Sequence, residues 1–372
     1  MSDTLDYTDL IREAGELYPE VPPPIGTHVP NGTDDTATEP RHGTPSVPNG
    51  TPLRWVTAAE LAALEPEHPA WLHPGYVARG VITELSAKIK TGKTTLALSL
   101  TRAIVTGTPF LGHECVATPT CYLTEERAQT FRSAIARVGL EDCANLHILF
   151  RQHSYGQDWP DVAAAATQYA LSVGAGCLWV DTLSDWANVR GDAENDAGAA
   201  MDAMRPLHAA AAAGLAVVSV RHSGRNPSSD VAESGRGSSA FGGAADIILS
   251  LRRVPGQGHE NRRLLAAVGR FDETPAELVV DFVDGAYTVI GTKSDAARRD
   301  ALDWLRDNLT AGRDWALTLP QVEQRAKDAG EVVSRSTLQR ALGELQERGE
   351  VESEIGAAIQ SPRARGYWLV ES

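Results

Sequence analysis

Short apolar runs alternate with longer helical stretches between residues 80 and 292. Val81–Ala87, Thr120–Thr124, Leu146–Phe150, Cys177–Val180, Leu215–Val220 and Ile247–Leu251 have strand length. Between them, Thr94–Val105, a stretch ending at Val138, Val162–Val173 and Ala197–Ala213 read as helices. Continuously apolar strands separated by helices predict a mostly parallel sheet covered on both faces. Arg263–Val268 and Leu278–Ile290 then alternate like antiparallel strands, with Asp284-Gly285 as a hairpin turn. The predicted fold class is α/β, with an antiparallel extension of the parallel sheet.

The flanks read differently. Residues 1–52 are rich in Pro, Gly, Thr and Asp without apolar periodicity, which predicts a disordered acidic tail. Residues 53–79 form a lead-in: Thr57-Ala-Ala-Glu60 is a capping box for a short helix, and the aromatic segment Trp71–Tyr76 follows. From 293 to 372 the pattern becomes helix, helix, helix, hairpin. Ala296–Asn308 is amphipathic, Thr318 caps Leu319–Ala329, and Ser334 opens a third helix through Arg348. Glu350–Glu354 and Gly366–Val370 read as two strands. Three helices and a two-stranded wing predict a winged helix–turn–helix, with Ser336–Arg348 as the recognition-type helix.

Composition narrows the picture. The 372 residues suffice for two or three domains, and the net charge of −15 argues against general coating of duplex DNA, which a basic protein does by neutralising phosphates. It leaves room for a local basic channel. Cys115, Cys121, Cys143 and Cys177 form no C-x-x-C pair and have no zinc spacing, so they read as buried thiols of a reducing cytoplasm. No stretch reaches the roughly 18 apolar residues of a membrane span. The acidic start of the chain lacks the apolar region of a secretory signal.

The candidate chemistry centres on Ala87-Lys-Ile-Lys-Thr-Gly-Lys-Thr-Thr, between a predicted strand and a predicted helix. That is the context of a phosphate loop: backbone N–H groups and a helix N-terminus attract phosphates. Lys88, Ile89, Lys90, Thr91, Gly92, Lys93, Thr94 and Thr95 form the candidate ATP cradle, with Lys93 for the β- and γ-phosphates and the Thr94 hydroxyl for Mg²⁺. Ala87 stands where the motif has its first glycine, and an alanine serves there if its φ stays negative. Asp181 ends an apolar strand and is a candidate for the magnesium shell, or else a plain N-cap. Glu125 follows another strand and is the preferred general base, with Glu126 as the alternative and an acidic helix start as the plain reading of both. His222, at a third strand end, is a candidate γ-phosphate sensor. The Gly-, Ser- and Arg-rich loop Ser223–Gly243 is too long for an idle connection. Arg225, Arg236 and Arg270 are candidates for a trans-acting arginine finger or for phosphate contact.

Over about residues 70–292 the chain resembles the RepA-like, RecA-fold ATPases, the hexameric replicative-helicase type of plasmids, phages and other mobile elements. The resemblance rests on Leu72-His-Pro-Gly-Tyr with Gly80, Lys90-Thr-Gly-Lys-Thr-Thr, Tyr122-Leu-Thr-Glu-Glu and Val180-Asp-Thr-Leu. Glu194-Asn-Asp, Arg221-His222, Arg236-Gly-Ser-Ser-Ala and Ala245-Asp246 complete it. It implies a RecA-like core, ATP with Mg²⁺, and a homo-oligomer, the hexameric ring being the family's helicase form, with sites between subunits. By position, Glu125 resembles the catalytic glutamate, Asp181 the magnesium-site acid and His222 the strand-tip sensor. Lys90 fits the family's lysine-bearing loop.

In the C-terminal module, Arg335 and Arg340 sit on or beside the presumed recognition helix, and Arg363 and Arg365 in the presumed wing. All four are candidates for phosphate contacts with duplex DNA. Acidic residues, among them Glu344, Glu347, Glu350, Glu352 and Glu354, crowd the same surface, so a protein-binding module is the competing reading. Three functions follow: an ATP-driven motor acting on single-stranded DNA in replication, a recombination or repair ATPase, and an ATP-switched regulator or adaptor that uses the winged helix.

Overall fold

The computed structural model describes residues 55–64, 68–191, 193, 196–222, 239–254, 259–331, 333–358 and 361–371. The tail expected at 1–52, Arg225 and Arg236 lie outside them. The lead-in consists of helix α1 (Ala58–Leu64) and an antiparallel pair, β1 (Trp71–His73) and β2 (Val77–Ala78). The core then begins with β3 (Ile82–Ala87), α2 (Lys93–Thr106), β4 (Thr120–Thr124), α3 (Ala128–Arg137) and β5 (Leu146–Phe150). It continues through α4 (Trp159–Ser172), β6 (Cys177–Asp181), α5 (Leu183–Trp186), α6 (Ala197–Ala212) and β7 (Ala216–His222). It closes with α7 (Ser239–Ala244), β8 (Ile247–Arg253), β9 (Arg262–Gly269), β10 (Glu277–Val283) and β11 (Ala286–Gly291).

These strands make one nine-stranded sheet in the order β11-β10-β9-β8-β3-β7-β6-β4-β5. β3 to β8 are parallel, and β9, β10 and β11 extend them antiparallel. The strand pattern explains why. All five residues of β6 are buried, because Cys177 and Trp179 face the layer of α2 and α3 while Leu178 and Val180 face that of α4 and α6. Trp159 Nε1 donates to the Ala203 carbonyl at 2.9 Å, tying α4 to α6. The hairpin turn at Asp284-Gly285 has φ of 52° and 81°, as a two-residue turn with both central residues left-handed requires.

The C-terminal module contains α8 (Lys293–Asn308), β12 (Leu317–Thr318), α9 (Leu319–Asp328), α10 (Arg335–Glu347), β13 (Val351–Ile355) and β14 (Arg365–Leu369). Capping boxes open α8 (Thr292 with Asp295) and α9 (Thr318 with Gln321). Leu302, Leu305, Leu338, Leu342, Leu345 and Val351 form its own core. The sheet has three strands, ordered β12-β14-β13, where the sequence predicts two. At two residues, β12 is too short for alternation to reveal it, and it exists by pairing Leu317 with Tyr367. Ala296 packs with Leu264 and Val279, and Arg262 Nη1 donates to both Asp300 carboxylate oxygens at 2.7 Å, which fixes α8 to the sheet.

An ion pair links the two central strands. Glu84 on β3 and Arg221 on β7 are both nearly fully buried, with Arg221 Nη1 3.4 and 3.5 Å from the carboxylate oxygens. The guanidinium carbon lies 3.7 Å from the centre of the Phe241 ring. Burial pushes the Glu84 carboxyl up, and the Arg221 charge opposes that shift. Removing one partner leaves the other charge uncompensated, which costs about 3–5 kcal/mol. Glu84→Ala is expected to lose about that much in urea unfolding; a loss below about 1 kcal/mol, the level of an exposed pair, would contradict the compensation.

Candidate nucleotide site

Parallel strands bring their C-terminal ends to one rim, and chain reversals there leave room for a ligand. β3 delivers the loop 88–92 and then α2. Ala87 is the buried last residue of β3, paired with His222 and Leu251, and it is not among the residues with positive φ. An alanine therefore replaces the usual glycine at no conformational cost. The turn instead places Lys90 at φ 61° and Gly92 at φ 105°. Lys88, Ile89 and Lys90 are exposed, whereas Thr91 and Lys93 are buried. No side chain caps α2 at Gly92, so the first-turn N–H groups of Thr94 and Thr95 remain available to an anion. A Cβ on Gly92 would meet nothing nearer than the Tyr287 hydroxyl at 4.0 Å.

Lys93 points inward. Its ammonium donates to His222 Nδ1 at 2.7 Å and to the Ala87 carbonyl at 3.3 Å. The short contact requires Nδ1 to be the unprotonated, accepting nitrogen. Burial lowers the Lys93 pKa, and the charges of Asp181 and Glu125 pull it back up. Asp181 Oδ2 accepts from the Tyr122 hydroxyl at 2.7 Å and from Thr94 Oγ1 at 3.4 Å. β6 lies beside β4, so Glu125, just beyond β4, comes next to Asp181: its backbone N–H donates to the Asp181 carbonyl at 2.9 Å. Thr182 Oγ1 donates to Glu125 Oε2 at 2.5 Å. Glu126 is half-buried; burial and the Glu125 charge raise its pKa, and a hydrogen bond from Thr94 lowers it.

The hard oxygens of Thr94 and Asp181 suit Mg²⁺, which takes one or two protein ligands and completes its shell with phosphate and water. The fit sets a pH dependence. Burial raises the Asp181 pKa to about 6, with the Tyr122 hydrogen bond opposing and the Glu125 and Glu126 charges reinforcing the shift. The folded state thus holds a proton that the unfolded chain has released. Asp181 favours folding below its unfolded pKa of 3.8, and that contribution is lost as pH rises to about 6. A metal, by contrast, needs the carboxylate. Mg²⁺-dependent nucleotide affinity is expected to fall as pH drops through about 6, and Asp181→Asn to flatten that profile. Titration calorimetry at several pH values tests both.

Two residues escape the sequence reading. Arg253 ends β8 and Arg263 stands opposite it on β9. Arg253 Nη2 donates to the Lys90 carbonyl and Arg263 Nε to the Thr91 carbonyl, both at 2.8 Å. Arg263 Nη1 also donates to the carbonyls of Glu260 and Arg262, which locks its plane. These bonds hold two loop carbonyls against the sheet. The only sequence signal is the pair of doublets, Arg252-Arg253 and Arg262-Arg263, flanking a hairpin. Arg263→Ala is expected to weaken nucleotide binding about tenfold, ~1.4 kcal/mol, with the fold intact. Unchanged affinity in calorimetry would contradict the role.

The remaining candidates disperse. Arg270 follows Gly269, which pairs with Ile247 at the start of β8, and its Nε lies 3.7 Å from Asp246. It occupies the opposite rim from the loop, about 20 Å away along the seven residues of β8. That placement corrects one expected role: Arg270 does not contact phosphates bound by its own chain. Arg335, Arg340, Arg363 and Arg365 are all exposed on the C-terminal module. Arg335 lies 3.9 Å from Glu323, and Arg365 donates to Ser353. Three of the acids crowding that surface are held by arginines: Glu344 by Arg298 and Arg348, Glu350 by Arg306, Glu354 by Arg313.

The chain matches the family model of an AAA domain over residues 48–228, which takes in the loop, Glu125, Asp181 and His222. No curated protein matches it. Among solved structures, a KaiC-like protein from the hyperthermophilic archaeon Pyrococcus horikoshii OT3 aligns at a TM-score of 0.42 and 15% identity, over 60% of this chain and 99% of that one. The AAA-domain match and the rim geometry agree on a P-loop ATPase core.

Proposed function

We propose that the chain hydrolyses ATP with Mg²⁺ and couples hydrolysis to work on DNA in replication, as a RepA-like helicase or single-strand-dependent motor. The observation that carries this reading is the convergence of Lys93, Thr94, Asp181 and Glu125 on one rim. Lys88–Thr95 cradle the phosphates. Thr94 and Asp181 would hold Mg²⁺, which when bound would neutralise phosphate charge. Glu125 takes the proton of the attacking water, and Thr182 orients its carboxylate. Lys93 turns from His222 to the γ-phosphate, so that His222 reads whether a triphosphate is present. Arg236 or Arg270 completes a neighbour's site in a homo-oligomeric ring. The C-terminal module acts as a winged helix on duplex DNA through Arg335, Arg340, Arg363 and Arg365. The setting is the cytoplasm.

A second reading has its own support. Arg262 and Arg263 are consecutive: one grips Asp300 of α8 and the other the Thr91 carbonyl. Nucleotide occupancy and the C-terminal module therefore share a two-residue link, as an ATP-switched regulator or adaptor needs.

ATPase assays with no DNA, single-stranded DNA and duplex DNA separate the readings. Turnover stimulated by single-stranded DNA, with strand separation, is expected. Lys93→Ala should abolish nucleotide binding or turnover. Glu125→Gln should keep binding and lose turnover by about 10²–10⁴-fold. Full activity in Lys93→Ala would overturn the site. Negligible turnover with tight duplex binding would favour the regulator.

A further inference from the structure

α8 belongs to two bodies. Leu302 and Leu305 enter the core of the C-terminal module, while Ala296 packs on Leu264 and Val279 of the sheet. That apolar contact with the sheet is small: beyond these three buried residues it gains only the half-buried Val254 and Ile290. A junction of that size leaves much of the fixing to its polar contacts. Asp300, on the same helix, makes the central one.

Asp300 sits against a short turn. The Arg262 backbone N–H donates to the His259 carbonyl at 3.0 Å and closes residues 259–262. Asp300 meets that turn at both ends. Arg262 Nη1 donates to both of its carboxylate oxygens, and His259 Nε2 lies 3.4 Å from one of them. Burial alone would lower the Arg262 pKa, but Asp300 and then Asp281 outweigh it and hold the charge. The same turn fixes Arg263. Its Nη1 donates to the Glu260 and Arg262 carbonyls at 2.7 and 2.8 Å, while its Nε reaches the Thr91 carbonyl. Successive residues of a strand point to opposite faces. Arg262 and Leu264 face α8, and Arg263 and Leu265 face the main core and the phosphate loop. β9 is therefore a partition one strand thick, with the C-terminal module on one face and the loop on the other.

We infer that Asp300 is a positioning residue for the nucleotide. From the C-terminal module it fixes the turn 259–262, through the turn the Arg263 guanidinium, and through Arg263 the Thr91 carbonyl of the phosphate loop. Any shift of α8 thus alters how firmly the loop is held, whatever the module binds. The inference rests on that loop being the nucleotide cradle.

Calorimetry with Mg²⁺-ATP on the full chain tests it. Asp300→Asn removes the charge at nearly constant shape. Asp281 still faces Arg262 at 3.4 Å, so the loss is partial. The dissociation constant is expected to rise about threefold, against about tenfold for Arg263→Ala. In the double variant the rise should stop at about tenfold, because Asp300 acts only through Arg263; independent sites would give about thirtyfold. Arg306→Gln breaks an ion pair inside the module and leaves Asp300 alone, and it should bind like wild type. Coupling between two sites is reciprocal. Mg²⁺-ATP should therefore slow amide hydrogen exchange along residues 293–308 of the unmutated protein. Wild-type affinity in Asp300→Asn, independent losses in the double variant, weakened binding in Arg306→Gln, or unchanged exchange would each overturn the inference. An unmutated chain that binds no nucleotide would overturn the cradle itself, and this inference with it.

Discussion

The site depends on keeping the Asp181 carboxylate in a dry place at the end of β6. A carboxyl buried to that degree tends to stay protonated unless hydrogen bonds and opposite charge favour the anion. Tyr122, Thr94 and Lys93 supply these from β4 and α2. The strand order makes that possible: β4 sits directly beside β6, and β7 directly beside β3. Glu125 reaches Asp181, and His222 reaches Lys93, because of those neighbours. The buried Glu84–Arg221 pair spans β3 and β7, so a one-residue slip between them would turn a charge out of its compensated position.

Much of this was legible in the sequence. Thr120–Thr124 and Leu146–Phe150 have the bounds that the sequence predicts, because both are short and are followed by a charged residue, Glu125 and Arg151. The phosphate-loop candidate and the candidate strand-end acids rest on local context, a strand before and a helix after. What stayed hidden is lateral. The strand order, which joins Glu125 to Asp181 across 56 positions, has no local signature. Arg253 and Arg263 look like ordinary strand-end charges until β8 and β9 pair. Arg270 is a candidate for a trans-acting arginine finger or for phosphate contact in the sequence, which gives no indication of which rim a strand end occupies.

The C-terminal module shows the same limit in its electrostatics. Counted along the chain, its acids crowd out its arginines. Folded, Glu344, Glu350 and Glu354 each accept from arginines distant in sequence, so the face built by residues 344–354 is less acidic than that stretch read alone. Arg340 and Arg363 lie on the exposed surface of the same module.

Lys90, at φ 61°, occupies a region that costs a non-glycine residue about 1–2 kcal/mol. Glycine would sit there freely, but a glycine also has far more unfolded and alternative conformations to give up. With lysine at the turn and Arg253 on its carbonyl, the loop has few other shapes to visit. Its disorder is surrendered when the protein folds, not when a nucleotide arrives. A surface already in its final shape meets a ligand at a rate set by diffusion and charge, not by the time a flexible loop takes to close.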